Sequence, residues 1–431
     1  MRRSPRRRLF AATLFVASVL VPVTAAPAAT VQAATVQAAT VQATTVHAVT
    51  ADRHEGYKGY EGYEGYKAYE EDPRPAGGLG PELTARLDKA IRDTRRQARI
   101  PGVVVGLWMP GKGSYVRATG VADTVTREPM TVDPFVRIGS ETKTFTVTAL
   151  LQLVDDHRIR LDDPISRYVH GVPDGHRITL RQLAEMRSGL FPYTSDADFT
   201  HDLLSDPERF FTPRELLAYG FKHANTFAPG ARFEYSNTNL VLLGLVIEKV
   251  TGHRLADVID RRVLRPAGLD ATLFPYGTEF PEPHPHGYTD QTLSGAVADA
   301  TYWNPSWAWA AGAMISNLHD LRRWAKVVAT GELLSPQTQA QRLKTLPTGF
   351  PGTTYGLGIF ETNGWIGHNG SIPGYETVTV YLPSEKATLV IMINTDSTTS
   401  SQGQEPSTLL ARAVTAIATP DHVYDGAVVT P

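Results

Sequence analysis

The sequence predicts an α+β fold: one sheet assembled from both ends of a domain, with a helical lobe between. Three observations predict it. Strand-like runs come in pairs, 102–109 with 114–120 near one end and 376–382 with 387–394 near the other. A helical pattern flanks each pair, at 83–99 and 407–418. The stretch between them carries apolar runs at helical spacing, broken by aromatic loops.

The chain begins with five arginines in residues 1–8, then an apolar run over 9–23 and small residues at Ala26-Pro27-Ala28. That order predicts a secretory signal peptide over 1–28. The run is short for a membrane span, so no stable anchor is expected after cleavage. The expected location is extracellular, with an association with the cell wall. Residues 29–78 hold a five-residue repeat and then a Gly-Tyr repeat, and predict a disordered linker. The folded domain is expected over 79–418, with a tail at 419–431. The whole chain is 42% hydrophobic, enough for a large core. A net charge of −2 gives no reason to expect a nucleic-acid partner. The absence of cysteine excludes thiolate catalysis, Cys-ligated zinc and disulfides.

Within the domain, Gly111 and Gly113 separate the first two strands and predict a hairpin. At 137–146, Ser140 and Lys143 stand three apart, ahead of Val147, Leu150, Leu151 and Val154. That spacing is one face of a helix. Ser140 then sits near the helix N-terminus, with Lys143 one turn on and on the same side. A serine hydroxyl needs a base to become a nucleophile, and a buried lysine can lose its proton. First-turn N–H groups favour negative charge on the serine oxygen. Alone, Ser-x-x-Lys also fits an N-cap serine followed by a solvated lysine.

Residues 178–190 predict a helix with a threonine cap that ends at Gly189. The loop-rich stretches 191–230 and 275–311 are expected to shape a cleft. Tyr235 and Asn237 precede an apolar helix ending at Gly252, so both can aim into that cleft. A tyrosine there can exchange protons, and an asparagine amide can hold a carbonyl. Tyr302-Trp303-Asn304 repeats the pattern without the following helix. The last motif, 365–375, reads as a Gly-rich loop before a strand. His368 offers a donor there. Gly370 allows close backbone approach, and the Ser371 N–H can join the Ser140 N–H as an oxyanion hole.

Ser140-Glu141-Thr142-Lys143, Tyr235-Ser236-Asn237 and His368-Asn369-Gly370, in this order, resemble the three active-site motifs of the serine penicillin-recognising enzymes. The resemblance is to the class C β-lactamase and D-alanyl-D-alanine carboxypeptidase group, nearest its secreted carboxypeptidases, and covers roughly residues 80–418. It implies a β-lactamase/transpeptidase-like fold with a five-stranded antiparallel sheet, flanking helices and a helical lobe. It implies acyl transfer by Ser140, Lys143 and Tyr235. Substrate would be held by Asn237, His368, Gly370 and Ser371, without metal or cofactor. Lys143 acts as the free amine or keeps Tyr235 deprotonated; both routes stay open.

The implied substrates are small peptides, esters or β-lactams, with cell-wall peptidoglycan as one source. A D-alanyl-D-alanine carboxypeptidase leads, followed by an esterase or amidase, then a β-lactamase. A non-catalytic penicillin-binding sensor comes last. One departure matters. Phe360 stands where a related secreted carboxypeptidase has an arginine for a substrate carboxylate.

Overall fold

The computed structural model describes residues 77–397 and 404–426. The expected signal peptide, and the expected linker up to residue 76, lie outside the described residues. Helix α1 (Pro81–Gln97) leads into strands β1 (Gly102–Met109) and β2 (Gly113–Gly120). A 3₁₀ turn (Gly139–Glu141) opens helix α2 (Thr142–Asp155). Helices α3 (Leu180–Ala184), α4 (Ala197–Ser205), α5 (Pro213–Phe221), α6 (Asn237–Thr251) and α7 (Leu318–Thr330) build the lobe and its return. Strands β3 (Leu346–Pro347), β4 (Thr353–Tyr355), β5 (Phe360–Thr362), β6 (Trp365–Ile372), β7 (Tyr375–Leu382) and β8 (Ala387–Ile393) precede helix α8 (Pro406–Ala418).

Among the described residues the main sheet has eight strands in the order β2-β1-β8-β7-β6-β5-β4-β3, paired antiparallel throughout. Strand β1 pairs with β8, Val103 opposite Ile393, so strands from the two ends of the domain meet in mid-sheet. Four of the five long strands are the runs expected as strands, and the fifth, β6, falls where a Gly-rich loop was expected. Strands β5, β4 and β3 extend the sheet beyond them, because Asn363 and Gly364 (φ 49° and 90°) turn the chain back at Thr362.

Both faces of the sheet are covered. Val103, Val105, Val378, Val380 and Ile391 point to one face and pack with Leu87 of α1 and Leu410 of α8. Val104, Val390 and Met392 point to the other and pack with Leu321 and Trp324 of α7. This is why 102–109 is apolar throughout. The apparent alternation of 376–382 does not mark a solvent face, since every residue of β7 is buried. Thr377 and Thr379 face α2, and Glu376 faces α8, where it accepts the Ser407 N–H at 2.9 Å.

Two lobe expectations change. The 178–190 helix keeps its cap, with Thr179 and Gln182 in a capping box, but ends at Ala184. Met186 turns left-handed (φ 58°), and the Met186, Arg187 and Gly189 carbonyls accept the N–H groups of Glu234, Gly230 and Thr226. The 191–230 stretch contains two capped helices, opened by Asp196 and by Thr212 with Glu215.

The 419–431 segment is not a free tail as far as residue 426. Tyr424 is buried, Trp365 Nε1 donates to the His422 carbonyl at 2.7 Å, and Asn363 Nδ2 donates to the Val423 carbonyl at 2.7 Å. Tyr424→Ala should lower the unfolding free energy by about 3 kcal/mol, as for other large aromatic truncations. The check is a urea titration with unchanged slope; an unmoved midpoint would show that the segment adds no core.

Candidate active site

Ser140 sits in the 3₁₀ turn, and α2 carries Lys143 one turn on. Lys143 Nζ lies 2.8 Å from Ser140 Oγ and donates to the Ala311 carbonyl at 2.8 Å. Its side chain is fully buried. Burial holds its pKa well below the ordinary lysine value. The Trp-rich stretch thus supplies the wall behind Ser140 and Lys143. There Thr146 donates to the Ala310 carbonyl, and the Ile138 N–H to the Met314 carbonyl.

Tyr235 stands on the other side of the lysine, whose Nζ lies 4.7 Å from the ring centroid. The chain reaches it because 226–234 pairs with 186–189. Burial pushes its phenol pKa well above the ordinary value, and a contact with Ser140 opposes this in part. Asn237 opens α6 beside it, with a buried Oδ1 that has no partner inside the protein. The alternative motif is built differently. Tyr302 is half exposed, 3.3 Å from His284, and Asn304 caps a short turn by accepting the Ser306 N–H.

The third motif lies on strand β6 rather than in a loop. Its register places His368 and Gly370 opposite Thr379 and Thr377 on the α2 face, with the Asn369 and Ser371 side chains on the α8 face. The hairpin closes on Ile372 and Tyr375, so alternation directs the Ser371 N–H away from β7, towards the Ser140 turn. A Cβ on Gly370 would lie 1.9 Å from the Ile138 oxygen, and one on Gly139 (φ 48°) would lie 2.7 Å from the Ser371 nitrogen. Two glycines therefore let the turn and the strand touch backbone to backbone. That contact brings the Ser371 nitrogen against the turn that carries Ser140.

His368, expected to offer a donor to the substrate, has its ring nitrogens engaged within the protein. Nδ1 is 2.5 Å from the Asn369 carbonyl, so it carries the hydrogen, and Nε2 accepts from the Tyr355 hydroxyl at 3.2 Å. Burial, with Lys143 nearby, lowers its pKa to about 3. Phe360 packs on this histidine at 4.8 Å and on Tyr355 at 4.6 Å between ring centroids, and lies parallel to Tyr235 at 6.5 Å. The wall is aromatic and neutral. Tyr355 and Ala311 are the residues that motif reading missed. The Tyr355-Gly356-Leu357-Gly358 phrase was a signal for the first, while nothing local marks a backbone carbonyl.

Residues 87–413 match the Beta-lactamase family. The chain belongs to that family. A D-aminopeptidase of Brucella anthropi is 29% identical over 330 residues, covering 72% of this chain and 59% of its own length. The chain thus spans less than two thirds of that relative. The crystal structure of a D-stereospecific amidohydrolase from Streptomyces sp. is similar, with TM-score 0.70 and 31% identity over 78% of this chain and 99% of the other. So is the D-amino acid amidase from Ochrobactrum anthropi SV3 complexed with D-phenylalanine, with TM-score 0.71 and 26% identity over 79% and 99%.

Two outcomes follow from the site. Burial lowers the Lys143 pKa, so below the ordinary lysine value that burial costs stability, and the cost shrinks as pH rises towards about 10.5. Lys143→Met should unfold at a higher temperature than wild type near pH 7, with the gap closing by pH 10; a constant gap would mean a charged lysine in the fold. Tyr235→Phe should lower turnover by about 10²–10⁴-fold, the scale of general acid–base catalysis, and Tyr302→Phe much less. Steady-state rates with circular dichroism check both, and a crippled Tyr302→Phe would misplace the site.

Proposed function

We propose that this protein is a serine hydrolase that cleaves amide bonds of D-amino acid derivatives through an acyl-enzyme on Ser140. The supporting observation is the neutral aromatic wall of Phe360, Tyr355 and His368, beside the Ser140–Lys143 pair. A terminal carboxylate needs a cation or several donors to replace its water. Phe360 supplies none, and His368 has both ring nitrogens engaged within the protein. An uncharged amide or ester meets no such penalty. The named activities of the similar proteins, D-aminopeptidase and D-amino acid amidase, support the same choice. The amidase alternative is therefore preferred to the D-alanyl-D-alanine carboxypeptidase.

The chemistry needs only groups in place. A neutral Lys143 has a lone pair for the Ser140 proton as Oγ attacks the carbonyl. The Ser140 and Ser371 N–H groups hold the oxyanion. Tyr235, protonated by its burial, gives a proton to the departing nitrogen, which cannot leave as an anion, and takes the proton from Lys143 in return, so that both groups regain their starting forms. The partner Asn237 Oδ1 lacks is an N–H of the substrate. Water then repeats the sequence on the ester. An extracellular site of action is also part of this reading, on the pattern of residues 2–23 alone.

The test is a panel of D-phenylalanine amide, L-phenylalanine amide, a peptide ending in D-Ala-D-Ala, a chromogenic cephalosporin and a p-nitrophenyl ester. The D-amide should give the highest kcat/KM of the amides and peptides, and Ser140→Ala should remove all turnover. Phe360→Arg should raise the D-Ala-D-Ala peptide relative to the D-amide by at least about tenfold, the yield of one good charged contact; Phe360→Leu should not. Faster turnover of the free-acid peptide by wild type would refute the amidase reading.

A further inference from the structure

Glu141 follows Ser140 directly and has no part in the chemistry above. Its side chain is 1% exposed, in the turn that carries Ser140. The Thr377 and Thr379 hydroxyls face it from β7 and ease its charged form, yet neither carboxyl oxygen has a hydrogen-bond partner in good geometry. Thr379 Oγ1 is also buried without one. These orphaned atoms lie beside a small cavity lined by Glu141, Thr144, Thr379, His368 and Trp324. It offers about 10 Å³ to the centre of a water molecule, roughly the room of one. The remaining contacts lock the turn in place. Thr144 donates to the Glu141 carbonyl at 2.7 Å, Trp324 donates to Thr144 at 2.7 Å, and Thr377 donates to the Ile138 carbonyl at 3.3 Å.

We propose that Glu141 is a positioning residue: its carboxyl, bridged by one water in this cavity to Thr379, ties the Ser140 turn to β7 and sets the spacing of the Ser140 and Ser371 N–H groups. The inference rests on Ser140 being the nucleophile. A carboxyl with no cation beside it is held as the neutral acid, which has both a donor and acceptors for such a bridge. Burial pushes its pKa up to about 8. The titratable groups around it are His368 of β6, which shares the cavity, Tyr424 of the C-terminal segment, and Lys143 at the start of α2 two residues on. On α7 its neighbour in the cavity is the uncharged Trp324. Ionising Glu141 removes the hydrogen it donates to the bridge and leaves a buried charge with no cation beside it. The sign follows: a carboxyl raised to about 8 destabilises the fold as pH climbs from its ordinary value to about 8, and not below.

The test labels Ser140 with a fluorophosphonate, which needs a nucleophilic serine and no particular substrate. Wild type, Glu141→Gln and Glu141→Ala are compared from pH 5 to 10, with Tm at each pH. The wild-type rate, divided by that of Glu141→Gln, should fall about tenfold or more as pH passes 8, the scale of a misplaced reacting group. The Tm of wild type should fall against Glu141→Gln between about pH 4.5 and 8. Glu141→Ala should label at least about tenfold more slowly at every pH while folded by circular dichroism. A crystal structure should show a water within hydrogen-bond distance of Glu141 and Thr379. A labelled wild type whose rate runs parallel to Glu141→Gln, or an empty cavity, overturns this inference alone. A wild type that does not label overturns the nucleophile reading and the inference with it.

Discussion

The site depends on one contact that side chains would forbid, the meeting of the Ser140 turn and strand β6 backbone to backbone. Gly139 and Gly370 make it, each where a methyl group would strike main-chain atoms. Everything else holds the two partners there. Strand β6 is fixed by β7 along its length and by β5 over its first three residues. That short pairing leaves the rest of its edge for the turn. The turn is fixed by Met314 and Thr377, through the N–H and carbonyl of Ile138. Oxyanion stabilisation depends on donors set before the charge appears, so the rigidity is part of the chemistry.

The electrostatics of this region follow from burial without counter-charge. Lys143, Glu141 and His368 are each almost sealed from water and each is driven towards its neutral form. Arg342 is equally buried and bonds to the neutral oxygens of Thr148 and Thr144, pinning α2 from behind. A charged residue in such surroundings would be costly. Burial therefore favours the amine form of Lys143 and the phenol form of Tyr235 over their ions.

The Trp-rich stretch is structural support before it is a rim. Ala311 receives Lys143, Ala310 receives Thr146, and Gly244 of α6 leaves room for the Trp309 ring. The 226–234 segment plays the matching role for Tyr235 by pairing with 186–189. Loops that seem to shape a cleft from outside are here fastened from within.

The sequence by itself determined the motifs, four of the five long strands and the places of helices α1, α2, α6 and α8, because these depend on local pattern: period-two and period-3.6 burial, caps, and glycines that end helices. The Asn363-Gly364 turn and the caps at Asp196 and Thr212 were equally local and legible, and give the extra strands and the two lobe helices. What only the tertiary structure decided is what depends on a partner far along the chain. Helix α3 stops at Ala184 because its next carbonyls are taken by 226–234. The His368 motif is strand because β7 pairs with it. The histidine is neutral because Tyr355, Asn369 and burial leave no place for a second proton. Whether Lys143 sheds its proton depends on the water excluded from around it, a property of packing that no spacing of residues carries.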